Sequence, residues 1–228
     1  LGEAFASDYG LSVERATKVA KLVSEWERTA KKRALTEADA KFKHSTPYAA
    51  SKACGDLSIY PFFLNKGFPL VYTRATNVYG PYQQLYRIIP RTIVSIKKNT
   101  KIQLHAGGRA IKSYIHIRDV CDATLKVARY GHNGEVYHIS PDYGGVSIYD
   151  VVKTVCEMMH KKIEDCVEVV GERLGQDDIY HIDSSKIRKE LGWKNTISIK
   201  EGIQEVIDWV NENWDEIRTS PIEYIHKP

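Results

Sequence analysis

Short apolar runs alternate with helix-patterned segments along most of this 228-residue chain, and that alternation points to an α/β fold. Pro69-Leu70-Val71-Tyr72-Thr73-Arg74 is a nearly continuous apolar run that follows a helix-like stretch and Gly67. A strand covered by helices on both faces has no solvent side, so its sequence stays apolar instead of alternating. Tyr114-Ile115-His116-Ile117, Val136-Tyr137-His138-Ile139 and Val167-Glu168-Val169-Val170 read as further short strands.

The helices between them carry their own start and stop signals. Residues 12–33 read as an amphipathic helix capped by Ser12, with Val13, Ala16, Val19, Ala20, Val23 and Trp26 at helical spacing. Tyr48 to Lys66 reads as a second, with an apolar face of Ala49, Ala53, Leu57 and Ile59. Pro61 is expected to kink or divide it, since proline has no N–H to donate. A helix over Leu85 to Lys98 is expected to be interrupted or entered at Pro90. Asp119 is the expected cap of a helix bearing Val120, Ala123, Thr124 and Val127, and Ser147 of one running to about His160. A helix from Asp183 or Ser184 stops at Gly192, and Ser198 with Glu201 forms a capping box ahead of Ile203, Val206, Ile207 and Val210.

Composition excludes several function classes. Hydrophobic residues make up 43% and charged residues 27%, enough apolar surface for a substantial core. No apolar run reaches the roughly 18 residues that span a bilayer, and Leu1-Gly2-Glu3-Ala4-Phe5 lacks the pattern of a signal peptide. A net charge of +4, with Lys31-Lys32-Arg33 as the densest cluster, does not describe a nucleic-acid surface. Cys54, Cys121, Cys156 and Cys166 show no C-x-x-C spacing, so neither a zinc site nor a disulfide framework is expected, and reduced thiols fit a cytoplasmic protein. The chain does not begin with Met, which suggests a fragment or a processed product.

Tyr48 and Lys52 stand four residues apart, on one face of the predicted helix. A phenol ionises near pH ~10, and a neighbouring ammonium favours the phenolate, which makes such a pair a candidate base for a hydroxyl proton. Tyr149 and Lys153 repeat the spacing, in the first turns of a helix whose other face is core, where a surface aromatic and a surface charge account for them. Spacing does not separate the pairs; context must.

Thr46-Pro47-Tyr48-Ala49-Ala50-Ser51-Lys52-Ala53 resembles the P-Y-x-x-S-K segment of the extended short-chain dehydrogenase/reductases. Arg74-Ala75-Thr76-Asn77-Val78-Tyr79-Gly80-Pro81 is similar to the R-x-x-N-x-Y-G-P of that family, and Ser113-Tyr114-Ile115-His116-Ile117-Arg118-Asp119-Val120 to its F-I-H-V-x-D-V turn. Gly134 to Ile139 and Lys189-Glu190-Leu191-Gly192-Trp193 match later landmarks, so the likeness runs in order from about Thr36 to Trp214. Within the family it is nearest to NAD-dependent nucleotide-sugar epimerases and dehydratases, particularly the dTDP-glucose 4,6-dehydratases.

The resemblance implies an α/β fold: the carboxyl-terminal part of a Rossmann-type, doubly wound parallel sheet, with a smaller α/β substrate-binding domain. It implies residues 1–44 as a segment of uncertain relation and 45–85 as the remaining Rossmann part. Residues 86–228 would mainly bind the nucleotide sugar, with 114–140 returning to the Rossmann domain. Tyr48 would be the base at the sugar 4-hydroxyl, with Lys52 lowering its pKa and holding the nicotinamide ribose of NAD. Asn77, Arg87, Lys112 and Arg173 would bind the nucleotide-sugar substrate, Lys112 standing where the family often has arginine. A homodimer pairing through the Tyr/Lys helix is also implied.

The implied reaction is a 4,6-dehydration by oxidation at C4, elimination of water and return of hydride. A 4-epimerase shares the first step, and the segments Leu174-Gly175-Gln176-Asp177 and Tyr180-His181-Ile182-Asp183 favour the dehydratase. Two departures are plain: no G-x-x-G-x-x-G turn occurs, and no Thr-Asp-Glu triplet. Ser7-Asp8-Tyr9-Gly10 only faintly resembles the stretch near that triplet. A silent remnant that binds sugar nucleotides or proteins without turnover is therefore the competing expectation.

Overall fold

Parallel ladders connected through helices organise the chain, as the alternation requires. The structure, a computed structural model, describes residues 47–171 and 178–224. The predicted helix at 12–33, Ser7 to Gly10 and Arg173 lie outside the described residues. Helix α1 (Pro47–Lys66) leads to β1 (Tyr72–Ala75) and, one residue later, β2 (Asn77–Tyr79). Then come α2 (Ile88–Lys97), β3 (Ile102–His105), β4 (Ile111–Lys112), β5 (Tyr114–His116), α3 (Ile117–Tyr130) and β6 (Val136–Ile139). The remainder is β7 (Val146–Ser147), α4 (Ile148–Met158), α5 (Ile163–Cys166), β8 (Val167–Val170), β9 (Ile179–Tyr180), α6 (Ser185–Leu191), α7 (Ile199–Glu212) and α8 (Trp214–Ile217).

β1 pairs with β6, β2 with β5 and β3 with β8, all parallel. β4 lies between β9, parallel to it, and β7, antiparallel to it. Strand β1 begins at Tyr72, later than the apolar run that starts at Pro69. Leu70 serves the turn instead, its carbonyl accepting from the Gly134 amide at 2.6 Å.

Two expectations for helices need correction. Pro61 neither divides nor ends α1, which runs unbroken through it and loses only the one ladder bond proline cannot donate. Asp119 is not the cap of α3. His116 occupies that position, its Nδ1 accepting from the Arg118 amide at 3.4 Å, and Asp119 sits inside the first turn. Pro90 enters α2 in its first turn, where a missing N–H costs nothing. Ser147 caps α4, and the Ser198–Glu201 capping box opens α7.

Two hydrophobic cores form. Ile115, Ala123, Val127, Tyr137, Ile139, Ile187 and Trp193 make one, with Val71, Ala75 and Val78 packed against it. The other collects the inner faces of α2, α4 and α7, with Ile93, Val152, Val155, Ile203 and Val206 fully enclosed. Tyr79 and Tyr114, at the β2–β5 pair, belong to this second core, while Val78 and Ile115 beside them face the first. The β2–β5 ladder is therefore the seam along which both cores meet.

Candidate active site

Helix α1 presents Tyr48 and Lys52 on one face: Lys52 Nζ lies 5.6 Å from the centre of the Tyr48 ring. Tyr48 is 73% exposed, and no residue of the helix is buried. The Ser51 hydroxyl, donating to the Tyr48 carbonyl at 2.8 Å, braces the intervening turn. The helix is fastened to the strand beside it by Asp56, which accepts from Arg74 at 2.7 Å and through its carbonyl from the Tyr72 hydroxyl at 3.1 Å. The second pair, Tyr149 and Lys153, behaves differently: Lys153 lies 3.9 Å from Glu157, and Tyr149 packs its backbone against Gly108.

Asn77 stands just past the carboxyl end of β1, the edge at which open parallel sheets hold ligands. Its amide donates to the Ser113 carbonyl at 3.0 Å, which brings it beside the strand segment that follows Lys112. Lys112 is half-buried on β4, between Val146 and Tyr180 of the flanking strands. After β2 the chain turns at Gly80, whose φ of 154° is matched by a tight fit: a Cβ there would lie 2.6 Å from the Ile117 side chain and 3.2 Å from His116 Nε2. Gln83 donates to the Val78 carbonyl at 2.7 Å and folds this turn back. Arg87 is exposed at the start of α2, its guanidinium 5.3 Å from the Tyr86 ring. Tyr48 and Lys52 are thus brought together, Asn77 lies beside Ser113, the residue that follows Lys112, and Arg87 follows on a separate element.

Sequence reasoning missed what the β5–α3 motif does. Asp119 is buried and its carboxylate accepts from the Thr196 amide and hydroxyl at 2.9 Å each and from the Ile197 amide at 3.2 Å. The Trp193 indole donates to the Asp119 carbonyl at 3.2 Å. His116 and Arg118 both face Glu205 of α7. The motif is thus a plate on which residues 193–205 dock. Burial, with Arg118 adding to it, holds the His116 imidazole below its usual range, while Glu205 and Asp119 oppose the shift. Burial likewise pushes the Tyr79 phenol well up and takes Tyr114 to about 12, which marks both as structural hydroxyls. Among the described residues no cluster of three or more His, Cys, Asp or Glu is placed to hold a metal ion.

Comparison with known proteins identifies the family. A family model described as GDP-mannose 4,6 dehydratase matches residues 29–206. The human dTDP-D-glucose 4,6-dehydratase is 32% identical over 175 residues, covering 75% of this chain and 49% of that protein. The dTDP-glucose 4,6-dehydratase of Streptomyces niveus is 33% identical over 192 residues, covering 81% and 55%. The crystal structure of a Streptomyces venezuelae dTDP-glucose 4,6-dehydratase, solved with NAD bound, superposes with a TM-score of 0.75 at 28% identity, covering 81% of this chain and 56% of that one. The chain spans about half the length of the curated relatives it matches. Its parallel α/β architecture is of the Rossmann type, and with the family match extending over most of its length the chain belongs to the GDP-mannose 4,6 dehydratase family, among the nucleotide-sugar dehydratases and epimerases of the extended short-chain dehydrogenase/reductases.

Proposed function

We propose that this chain carries the base and part of the sugar-nucleotide site of an NAD-dependent nucleotide-sugar 4,6-dehydratase. The observation that carries this reading is the Tyr48–Lys52 pair, set on one open helix face in a chain of this family. Tyr48 takes the proton of the sugar 4-hydroxyl, and Lys52, one turn away, stabilises the phenolate and holds the nicotinamide ribose. NAD, when bound, supplies the acceptor for the C4 hydride. The exposed Tyr48 and Lys52 side chains fit the ribose end of such a cofactor. Asn77, Arg87, Lys112 and Arg173 bind the diphosphate and nucleoside, the three cations by charge.

A homodimer formed through α1 belongs to the same proposal. Leu57, Tyr60 and Leu64 recur at helical spacing on α1, and all three are exposed. No described helix is long and apolar enough to cross a membrane, and the four cysteines are free thiols, which supports a cytoplasmic setting.

The test is to mix the purified protein with NAD and dTDP-glucose and follow reduced-nicotinamide fluorescence together with formation of the 4-keto-6-deoxy sugar. The expected result is a sugar-dependent signal and product that Tyr48→Phe abolishes. Sugar-nucleotide binding with neither signal nor product would leave only a binding role, and product formed equally by Tyr48→Phe would overturn the assignment of the base.

A further inference from the structure

The β2–β5 ladder that carries Asn77 ends against helix α7, and one side chain there stands apart. His116, the last residue of β5, is 1% exposed and pairs in register with Tyr79 of β2. Its Nδ1 accepts from the Arg118 amide, so the ring proton resides on Nε2. That Nε2 is enclosed and makes no well-formed hydrogen bond, and Glu205 Oε2 lies 3.4 Å from it. The other oxygen of the same carboxylate takes the Arg118 guanidinium. The His116 ring also packs edge-on against Tyr79, with centroids 5.4 Å apart. Glu205 is therefore the acceptor nearest at hand for a buried donor that touches both the Asn77–Tyr79 strand and the Gly80 turn.

We propose that Glu205 is a positioning residue for the sugar-nucleotide site, holding the Asn77–Tyr79 strand in place through His116. Arg118 is the secondary partner: its side chain is 63% exposed, where an ion pair contributes little. The proposal rests on the site assignment above in one respect only, that Asn77 contacts the ligand. The 3.4 Å approach of Glu205 to His116 and the placement of the strand stand on geometry alone.

Two measurements on the full chain separate these parts. Titration calorimetry with dTDP-glucose should show Glu205→Ala weakening binding about tenfold, the effect of removing the carboxylate that faces the buried His116 donor. Glu205→Gln, which keeps an acceptor for His116 and loses the charge for Arg118, should stay within about twofold, as should Arg118→Ala. Hydrogen exchange should show the Asn77 amide, bonded to the Ser113 carbonyl, opening about tenfold faster in Glu205→Ala, while the Thr76 amide, bonded to Ile139 on the β1–β6 ladder, is unchanged. Equal weakening by Glu205→Ala, Glu205→Gln and Arg118→Ala would overturn the proposal, as would unchanged exchange at Asn77 or matching acceleration at Thr76. If the wild-type chain binds no dTDP-glucose while the exchange pattern appears, the site assignment fails and the positioning role stands.

Discussion

Gly202 of α7 and Tyr79 of β2 meet with no room between them. A Cβ built on Gly202 would lie 2.8 Å from both Cε2 and Cζ of the Tyr79 ring, and closer still to its hydroxyl. The ring cannot retreat, because it is 2% exposed and wedged between Tyr114 and His116. Gly202→Ala should therefore destabilise the fold by about 2 kcal/mol through overpacking, despite alanine's better helix propensity. Urea unfolding measures this. A Tyr79→Leu background should recover part of the loss, and a neutral or stabilising Gly202→Ala would show that α7 does not rest where the structure puts it.

Asp119 offers a second point of leverage. Its buried carboxylate satisfies two backbone amides and a hydroxyl of residues 196–197, just ahead of the α7 capping box. Asp119→Ala leaves those amides unpaired and should cost about 3 kcal/mol, against much less for Asp119→Asn, which keeps one acceptor oxygen. Denaturant midpoints for the two variants would show it, and equal loss in both would contradict the hydrogen-bond account.

His116 gives a pH signature. Burial lowers its folded pKa below the ordinary 6.5, so its neutral form contributes stability that is present above that value and lost as pH falls below it. The free-energy gap between wild type and His116→Asn should accordingly narrow between pH about 7.5 and about 5.5. A gap that widens in acid would mean the imidazole is charged in the folded protein, gripped by Glu205 more strongly than burial resists.

The two Tyr/Lys pairs make opposite predictions. In steady-state assays of a turnover-competent protein, Tyr48→Phe should depress turnover at least about a hundredfold. Tyr149→Phe should leave it nearly intact, because Tyr149 is bound up with Gly108 and its lysine partner lies near Glu157. Comparable damage from both would remove the basis for choosing between them.

Elements set by local chemistry were legible before any coordinates: β6 from its apolar run, α4 from Ser147 and α7 from its capping box all lie where the residues put them. The three-stranded sheet of β4, β7 and β9 was not legible. Its strands are two residues long, and Ile111 finds its partners at Ser147 and Ile179, far away in the chain. Strand β3 was overlooked although Ile102 and Leu104 alternate with Gln103 and His105, because the run is only four residues long and gains its place from pairing with the distant β8. In the site, the helical pairing of Tyr48 and Lys52 followed from spacing alone. Asp119 was misread as a cap because a carboxylate in a first turn looks like one, and its true partners stand 77 residues onward.

Helix α1, which buries none of its twenty residues, has a consequence for how this protein would fail. With Gly55 and Pro61 in its interior the segment is a weak helix former by itself, so its winding is lent by its few moorings: Asp56 to Arg74, and Phe63 over the Gly134 turn. The cores around Trp193 and Val152 include no residue of α1. Mild denaturant should accordingly fray the helix and scatter the Tyr48–Lys52 geometry while the hydrophobic interior still protects its amides, leaving a protein that is folded by most measures and chemically inert.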